Sequence, residues 1–124
     1  MPFEIENHEK YLLLRLHPSL TGEDLPRALA EMAQLDARMP APPKHRITDL
    51  SLLDEIDIGF PEIEMVAKGR RELKLSAPMR SALVAPSPLQ FGFARMFQTL
   101  NDNPKVDVRI MRTMEEALRW IESD

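Results

Sequence analysis

Three histidines are the side chains best suited to bind a transition metal. His8, His17 and His45 fall in three separate segments, and no close pair would put two ligands on one face of a helix. A zinc site needs three or four convergent ligands, and the chain has no cysteine to supply the others. We therefore interpret the histidines as structural or surface residues and predict neither a metal nor a cofactor.

An acidic cluster is the next candidate for chemistry. Asp54, Glu55 and Asp57 stand close together in a loop between two predicted elements. Neighbouring carboxylates can bind a hard cation or transfer protons. The cluster lacks the full ligand pattern of a calcium loop, so solvated loop carboxylates are the favoured interpretation.

Ser87 stands at a predicted turn from a strand into a helix, the place where some hydrolases carry their nucleophile. Its neighbours Pro86 and Pro88 do not form the Gly-x-Ser-x-Gly elbow, and no triad order is evident. Capping of the helix is the favoured role for this serine. Because no catalytic group is supported by its neighbours, we predict no catalytic residues and no enzymatic activity.

The same turn offers an alternative function, the binding of a small anionic or lipid-like molecule. Free backbone N–H groups over residues 89–91 and the helix dipole would favour an anion. Gly92 allows close approach, and Arg95 follows one turn later. Parallel sheets also tend to bind ligands at the carboxyl ends of their strands. This alternative predicts a ligand site at Ser87, Phe91, Gly92 and Arg95, although no Gly-rich phosphate loop is present.

The composition sets the frame for these residues. The chain has 124 residues, enough for one core, so we expect a single domain over residues 1–124. A net charge of −4 argues against general attraction to nucleic acid or anionic lipid. The absence of cysteine fits a reducing compartment. No apolar run is long enough to span a membrane, and the first residues lack the pattern of a signal peptide, so we expect a cytoplasmic protein.

Hydrophobic periodicity predicts an α/β fold with the order β-β-α-β-α-β-α-β-α. Short apolar or alternating runs predict strands over residues 3–6, 11–16, 45–50, 82–85 and 106–110. Apolar residues three or four apart predict four helices, the first capped by Thr21 and the last by Thr113, with Ile63 on the apolar face of the second. Strand-helix-strand units require a mainly parallel sheet, to which the opening hairpin adds an antiparallel edge strand.

Two segments carry a resemblance to a known family. Residues 49–57 read DLSLLDEID and residues 82–97 read ALVAPSPLQFGFARMF. Together with the element order, they resemble the STAS family of SpoIIAA-like domains, in particular its divergent bacterial group. The resemblance covers nearly the whole chain and implies a STAS-like, mixed but mainly parallel sheet of five strands with four helices.

The resemblance also implies a function. In anti-sigma antagonists, a serine at the start of the second helix accepts phosphate, but here Ile58 and Gly59 follow Asp57, so the expected acceptor hydroxyl is missing. We therefore expect a non-enzymatic interaction and regulatory module that binds a protein partner without a covalent switch. Its contact residues are predicted at Asp57, Gly59, Phe60 and Ile63. A homodimer remains an open alternative, because two-fold homo-oligomers are common.

Overall fold

A computed structural model describes residues 2–38, 44–54, 59–71, 75, 77–101 and 103–123, with only the backbone of residues 37, 60, 70 and 71. The nine predicted elements are all present, in the predicted order. The strands are β1 (Phe3–Asn7), β2 (Tyr11–Leu16), β3 (His45–Asp49), β4 (Met79–Val84) and β5 (Val106–Met111). The helices are α1 (Asp24–Ala37), α2 (Phe60–Arg71), α3 (Pro88–Leu100) and α4 (Met114–Glu122).

The strands form one sheet in which the spatial order equals the chain order, β1-β2-β3-β4-β5. The opening hairpin pairs β1 with β2 antiparallel, and the other three pairings are parallel. The predicted mixed, mainly parallel sheet is therefore confirmed. β5 lies at the edge and alternates buried Val106 and Val108 with exposed Asp107 and Arg109, as its sequence pattern predicted.

The monotonic strand order decides where the helices lie. Three successive crossovers step in the same direction along the sheet, and right-handed crossovers then place their helices on one face. The larger core cluster accordingly contains side chains of α1, α2 and α3, such as Ala28, Ile63 and Phe97. The smaller cluster lies on the opposite face, where Ala117 and Ile121 of α4 cover the sheet.

The start of α1 differs from the prediction. The helix begins at Asp24 with Glu23 at its N-cap position, and that residue makes no side-chain capping bond. Thr21 is not the cap. Its backbone N–H and hydroxyl both donate to Asp24 Oδ2, at 2.8 and 3.1 Å. The bond from the Thr21 backbone holds the pKa of Asp24 below its ordinary value. At this end of the helix Asp24 therefore accepts hydrogen bonds and Thr21 donates them, because a first-turn carboxylate is a stronger acceptor than a hydroxyl.

In the described part of the chain, none of the helices is long and apolar enough to cross a membrane.

Candidate functional site

The candidate site lies where β3 and β4 end side by side. These strands are parallel neighbours, so the loop after β3 and the turn after β4 meet at the same edge of the sheet. The Leu50 N–H donates to the Val84 carbonyl at 2.9 Å, which extends the pairing to the last residue of β4. The described parts of the two segments 49–57 and 82–97 therefore meet at this edge.

Asp49 fixes the beginning of the β3–α2 loop. Its carboxylate is buried at the end of β3, where Oδ1 accepts the Ser51 N–H at 2.9 Å. Oδ2 accepts Nε of Arg15 from the neighbouring strand at 3.1 Å. This hydrogen bond raises the pKa of Arg15 above its ordinary value. The loop therefore leaves the sheet in a direction set by a paired, buried carboxylate.

Ser87 caps α3, as favoured by the sequence. Its Oγ accepts the Gln90 N–H at 3.3 Å, and its own N–H donates to Gln90 Oε1 at 3.1 Å, which completes a capping box. The Phe91 N–H donates to the Ser87 carbonyl at 2.8 Å. Two of the N–H groups that we expected to be free for an anion are therefore already bonded.

Gln90 also ties α3 to the β3–α2 loop. Its side chain is buried, and Nε2 donates to the Leu53 carbonyl at 2.7 Å and to the Ser51 carbonyl at 3.1 Å. One amide group therefore caps the helix through its oxygen and holds the loop through its nitrogen. The sequence shows the capping pattern but not the loop contact, because Ser51 and Leu53 lie nearly forty residues earlier in the chain.

Most of the large apolar side chains that are exposed belong to these two connected segments. Among the described residues, five large hydrophobic side chains are exposed, and four of them belong to α3 or to the loop that Gln90 holds. Leu52 is 43% exposed, Leu89 48%, Phe91 44% and Met96 39%. We call these four residues the α3 surface. The fifth, Met65, is 49% exposed and lies on α2.

A cleft of about 290 Å³ lies beside the α3 surface. Its walls are the β4–α3 turn, the side of α3 at Phe91 and Gly92, and Arg112. Arg112 follows β5 and is exposed, and within the described residues its guanidinium has no hydrogen-bond or ion-pair partner. Arg95, the cation that we predicted for a ligand, does not line the cleft and donates to Gln98 Oε1 at 2.8 Å instead.

Two features of this edge do not favour the predicted anion site. Strand order does not reverse at any point of the sheet, so the crevice that opens at a topological switch point is absent from this sheet of described strands. Ser87, Phe91 and Gly92 do line the cleft together, but the cation there is Arg112. Sequence reasoning missed this arginine because it belongs to the next strand-to-helix turn.

The predicted partner residues are only partly exposed. Asp57 lies outside the described residues, and Phe60 begins α2. Gly59 is exposed and donates its N–H to Glu62 Oε2 at 3.0 Å. Ile63 is 2% exposed and packs in the core, so its placement on a partner surface is corrected. Its burial agrees with the apolar stripe that the sequence assigned to this helix.

The three histidines lie apart and have different partners. His8 stacks on Tyr11 with ring centroids 4.5 Å apart, and His17 Nε2 lies 3.2 Å from a Glu4 carboxylate oxygen. His45 accepts the Arg80 N–H on Nδ1 at 2.9 Å, and burial holds the pKa of His45 below its ordinary value. Within the described residues, no three His, Asp or Glu side chains are grouped to hold a metal ion.

Comparison with known proteins adds one finding about the fold. No family model matches the sequence, and no curated protein matches it. A crystal structure of an uncharacterized protein of the DUF3478 family, with a SpoIIAA-like fold and from Shewanella loihica PV-4, is similar at a TM-score of 0.62. The alignment covers 96% of this chain and 91% of that chain at 20% sequence identity, a level at which the likeness concerns the fold alone. The chain thus has a SpoIIAA-like fold, as the element order and the segments 49–57 and 82–97 predicted.

Proposed function

We propose that the protein is a non-enzymatic interaction module of the SpoIIAA-like type, and that a protein partner binds the α3 surface. The observation that carries this proposal is that α3 and its attached loop hold four of the five large apolar side chains that are exposed among the described residues, Leu52, Leu89, Phe91 and Met96. Apolar side chains that are grouped on an exposed element are typical of protein interfaces. The proposed contact therefore lies on α3 and its attached loop rather than at Ile63 on α2.

The energy available at this surface supports a specific contact. Complete burial of a Leu, Met or Phe side chain contributes roughly 1.5–3 kcal/mol. Each of the four side chains is about 40–50% exposed, so each has roughly 1 kcal/mol left to contribute when a partner covers it. Such a contribution is large enough for truncation of one residue to be measurable in binding.

The surface is also held in place before binding. The capping box fixes the first turn of α3, and Gln90 holds the loop that carries Leu52. A surface whose backbone is already ordered loses less conformational entropy when a partner binds. The partner contact is therefore expected to require little rearrangement of this edge.

The charge beside the surface indicates the partner's chemistry. Arg112 lines the adjoining cleft, and none of the described side chains pairs with it. A cation at the rim of an apolar interface favours an acidic side chain or a terminal carboxylate on the partner. We therefore propose a partner segment that combines apolar side chains with one carboxylate.

The proposed mechanism is reversible binding without phosphorylation. Ile58 and Gly59 occupy the positions where the resembling family has its acceptor serine, and neither side chain has a hydroxyl. Ser51 stands earlier in the loop, where the family has a serine that is not the acceptor. Regulation would then follow from the concentrations of the protein and its partner.

The test compares three baits in affinity capture from the protein's own cells, with quantitative mass spectrometry. The baits are the native chain, Leu89→Asp on the α3 surface and Met65→Asp on α2. Leu89 is in the first turn of α3, where a carboxylate is favoured by the helix dipole, so Leu89→Asp should fold normally. Met65→Asp is the matched control, because Met65 is equally exposed.

We expect one protein to be captured by the native chain and by Met65→Asp but not by Leu89→Asp. After purification, that protein should bind the native chain directly. Identical protein sets for all three baits would overturn the proposal. Sedimentation of the purified native chain and variants tests the alternative that the surface binds a second copy of the protein. If the native chain is a dimer and Leu89→Asp is a monomer, the surface binds a second copy and the proposed foreign partner is wrong.

A further inference from the structure

We infer, building on the proposed function, that the cleft beside the α3 surface binds the free C-terminal carboxylate of the partner, whose last side chain is apolar. The cleft has a volume of about 290 Å³ and lies between the turns that follow β4 and β5. Phe91 belongs both to the cleft and to the α3 surface. One partner can therefore contact the two together.

The path of the chain explains why a cleft opens here. β4 and β5 are parallel neighbours, and the Ala85 N–H donates to the Met111 carbonyl at 2.8 Å just beyond β4. The helices that follow lie on opposite faces of the sheet, because α3 packs in the larger core cluster and α4 in the smaller one. The two connections therefore diverge, although the strand order does not reverse. The space between them lies outside the carboxyl ends of parallel strands, where ligands commonly bind.

Arg112 supplies the positive charge of the cleft. It follows β5 directly, its side chain is exposed, and it lines the cleft. Within the described residues its guanidinium has no hydrogen-bond or ion-pair partner, whereas Arg95 bonds to Gln98 and Arg109 pairs with Asp107. A guanidinium binds a planar carboxylate through two parallel hydrogen bonds. The cleft therefore favours a carboxylate.

The remaining walls of the cleft are mostly apolar and are already in place. Pro86 and Pro88 flank the turn, and the Phe91 side chain is 44% exposed. Each proline ring fixes its own backbone angle φ, and the capping box of Ser87 fixes the start of α3. Walls that are ordered before binding lose little conformational entropy when an apolar side chain packs against them.

The size of the cleft requires one residue of the partner to supply both features. About 290 Å³ is just below the roughly 300–1,000 Å³ of small-molecule pockets and does not hold a longer segment. An internal Asp or Glu brings a carboxylate without an apolar side chain, and an internal apolar residue brings no charge. A C-terminal apolar residue carries both, and its α-carboxylate is ionised at neutral pH. Capture of a terminal carboxylate is also a recurring mode of peptide recognition.

The test is an NMR titration of the full-length, isotope-labelled protein with three small probes. N-acetyl-phenylalanine represents the C-terminal residue, its amide lacks the charge, and N-acetyl-glutamate α-methylamide carries the charge on its side chain alone. We expect N-acetyl-phenylalanine to shift the Gly92 and Arg112 amide signals saturably, and the other two probes to bind at least fivefold more weakly. The absence of saturable shifts, or equal binding of the acid and its amide, would overturn the inference. Equal binding of the glutamate probe would assign the cleft to an internal carboxylate instead.

Two matched pairs of variants test the location. Arg112→Gln removes the cation of the cleft, and Arg95→Gln removes an exposed cation of α3 that does not line it. Gly92→Leu fills the cleft, and Gly69→Leu on α2 is its control, because a Cβ added at either glycine meets no atom within 4 Å. We expect Arg112→Gln and Gly92→Leu to weaken binding of N-acetyl-phenylalanine at least fivefold, and both controls to stay within twofold. Unchanged binding in Arg112→Gln, or equal losses in a variant and its control, would place the probe elsewhere.

Different experiments decide the cleft and the α3 surface. If the probes do not bind while the three baits still separate Leu89→Asp from Met65→Asp, the α3 surface stands and the assignment of the cleft is wrong. If the probes bind while the three baits capture identical proteins, the cleft binds terminal carboxylates and the α3 surface is not the partner site.

Discussion

Replacement of Gln90 by methionine should detach the β3–α2 loop from α3. Methionine has nearly the same shape, so Gln90→Met leaves little cavity but removes three hydrogen bonds. Each bond contributes a net ~0.5–1.5 kcal/mol, and the buried Leu53 carbonyl would also lose its donor. We expect the free energy of unfolding to fall by about 2–4 kcal/mol, which most domains survive.

Urea unfolding and amide hydrogen exchange measure the two consequences separately. Unfolding gives the total loss, and exchange at Ser51 and Leu53 reports the loop, because their N–H groups bond to Asp49 Oδ1 and to the Leu50 carbonyl. These amides should exchange faster in Gln90→Met. The exchange rates of the β2 amides should rise only by the factor that the lower global stability accounts for.

Gln98→Met is the control on the same helix. Gln98 Nε2 donates to one backbone carbonyl, that of Val108, at 2.9 Å, and its Oε1 accepts an exposed bond from Arg95. Loss of these two bonds, of which one is exposed, should cost about 1 kcal/mol and leave loop exchange unchanged. If both variants lost the same stability and the Ser51 and Leu53 amides were equally protected in both, the proposed role of Gln90 would be refuted.

Three further changes have directions set by the structure. Ser87→Ala removes the α3 cap and should lower the free energy of unfolding in urea by about 1 kcal/mol; an unchanged midpoint would contradict this. Gly69→Ala should raise it by up to about 1 kcal/mol, because the new Cβ has open space, and a lower melting temperature would show a hidden clash. The lowered pKa of His45 means that the unfolded chain takes up its proton first. Stability should therefore be complete above pH 6.5 and fall below it, by at most about 1.4 kcal/mol per pH unit, until the folded pKa is passed. His45→Asn should flatten urea titrations between pH 6.5 and 5.5, and an unaltered slope would rule out His45 as the cause.

Most of the fold could be predicted because its signals are local. The alternation around Val106 and Val108 and the helical stripe ending at Ile121 each lie within one element. β3 had the least clear pattern, since two of its buried residues are charged. Arg46 pairs with Asp36 and Asp49 with Arg15, and neither pairing is visible in the sequence.

The candidate site could be predicted only where its contacts are local. The capping box of Ser87 and Gln90 spans three residues and is readable from the sequence. Arg112 and the loop carbonyls reach the same edge through strand pairing, so their position depends on the order of the sheet. If the sequence had shown that β4 and β5 are parallel neighbours, we would have predicted Arg112 instead of Arg95 as the cation beside this turn.

The placement of Ile63 shows how two sequence arguments can conflict. Its position beside the family's functional loop indicated a partner contact, whereas its spacing in α2 indicated burial. The structure agrees with the spacing, because an isoleucine on the apolar face of a helix over a sheet is covered by the neighbouring elements.

The proposed partner site is tested most directly by calorimetry with two purified proteins. They are this protein and the partner that the native and Met65→Asp baits capture and the Leu89→Asp bait does not, and the quantity measured is their dissociation constant. We expect Phe91→Asp to weaken this binding at least tenfold, which corresponds to about 1.4 kcal/mol, and Met65→Asp to change it less than twofold. If Phe91→Asp bound as tightly as the native chain, or if both variants lost affinity equally, the α3 surface would not be the partner site.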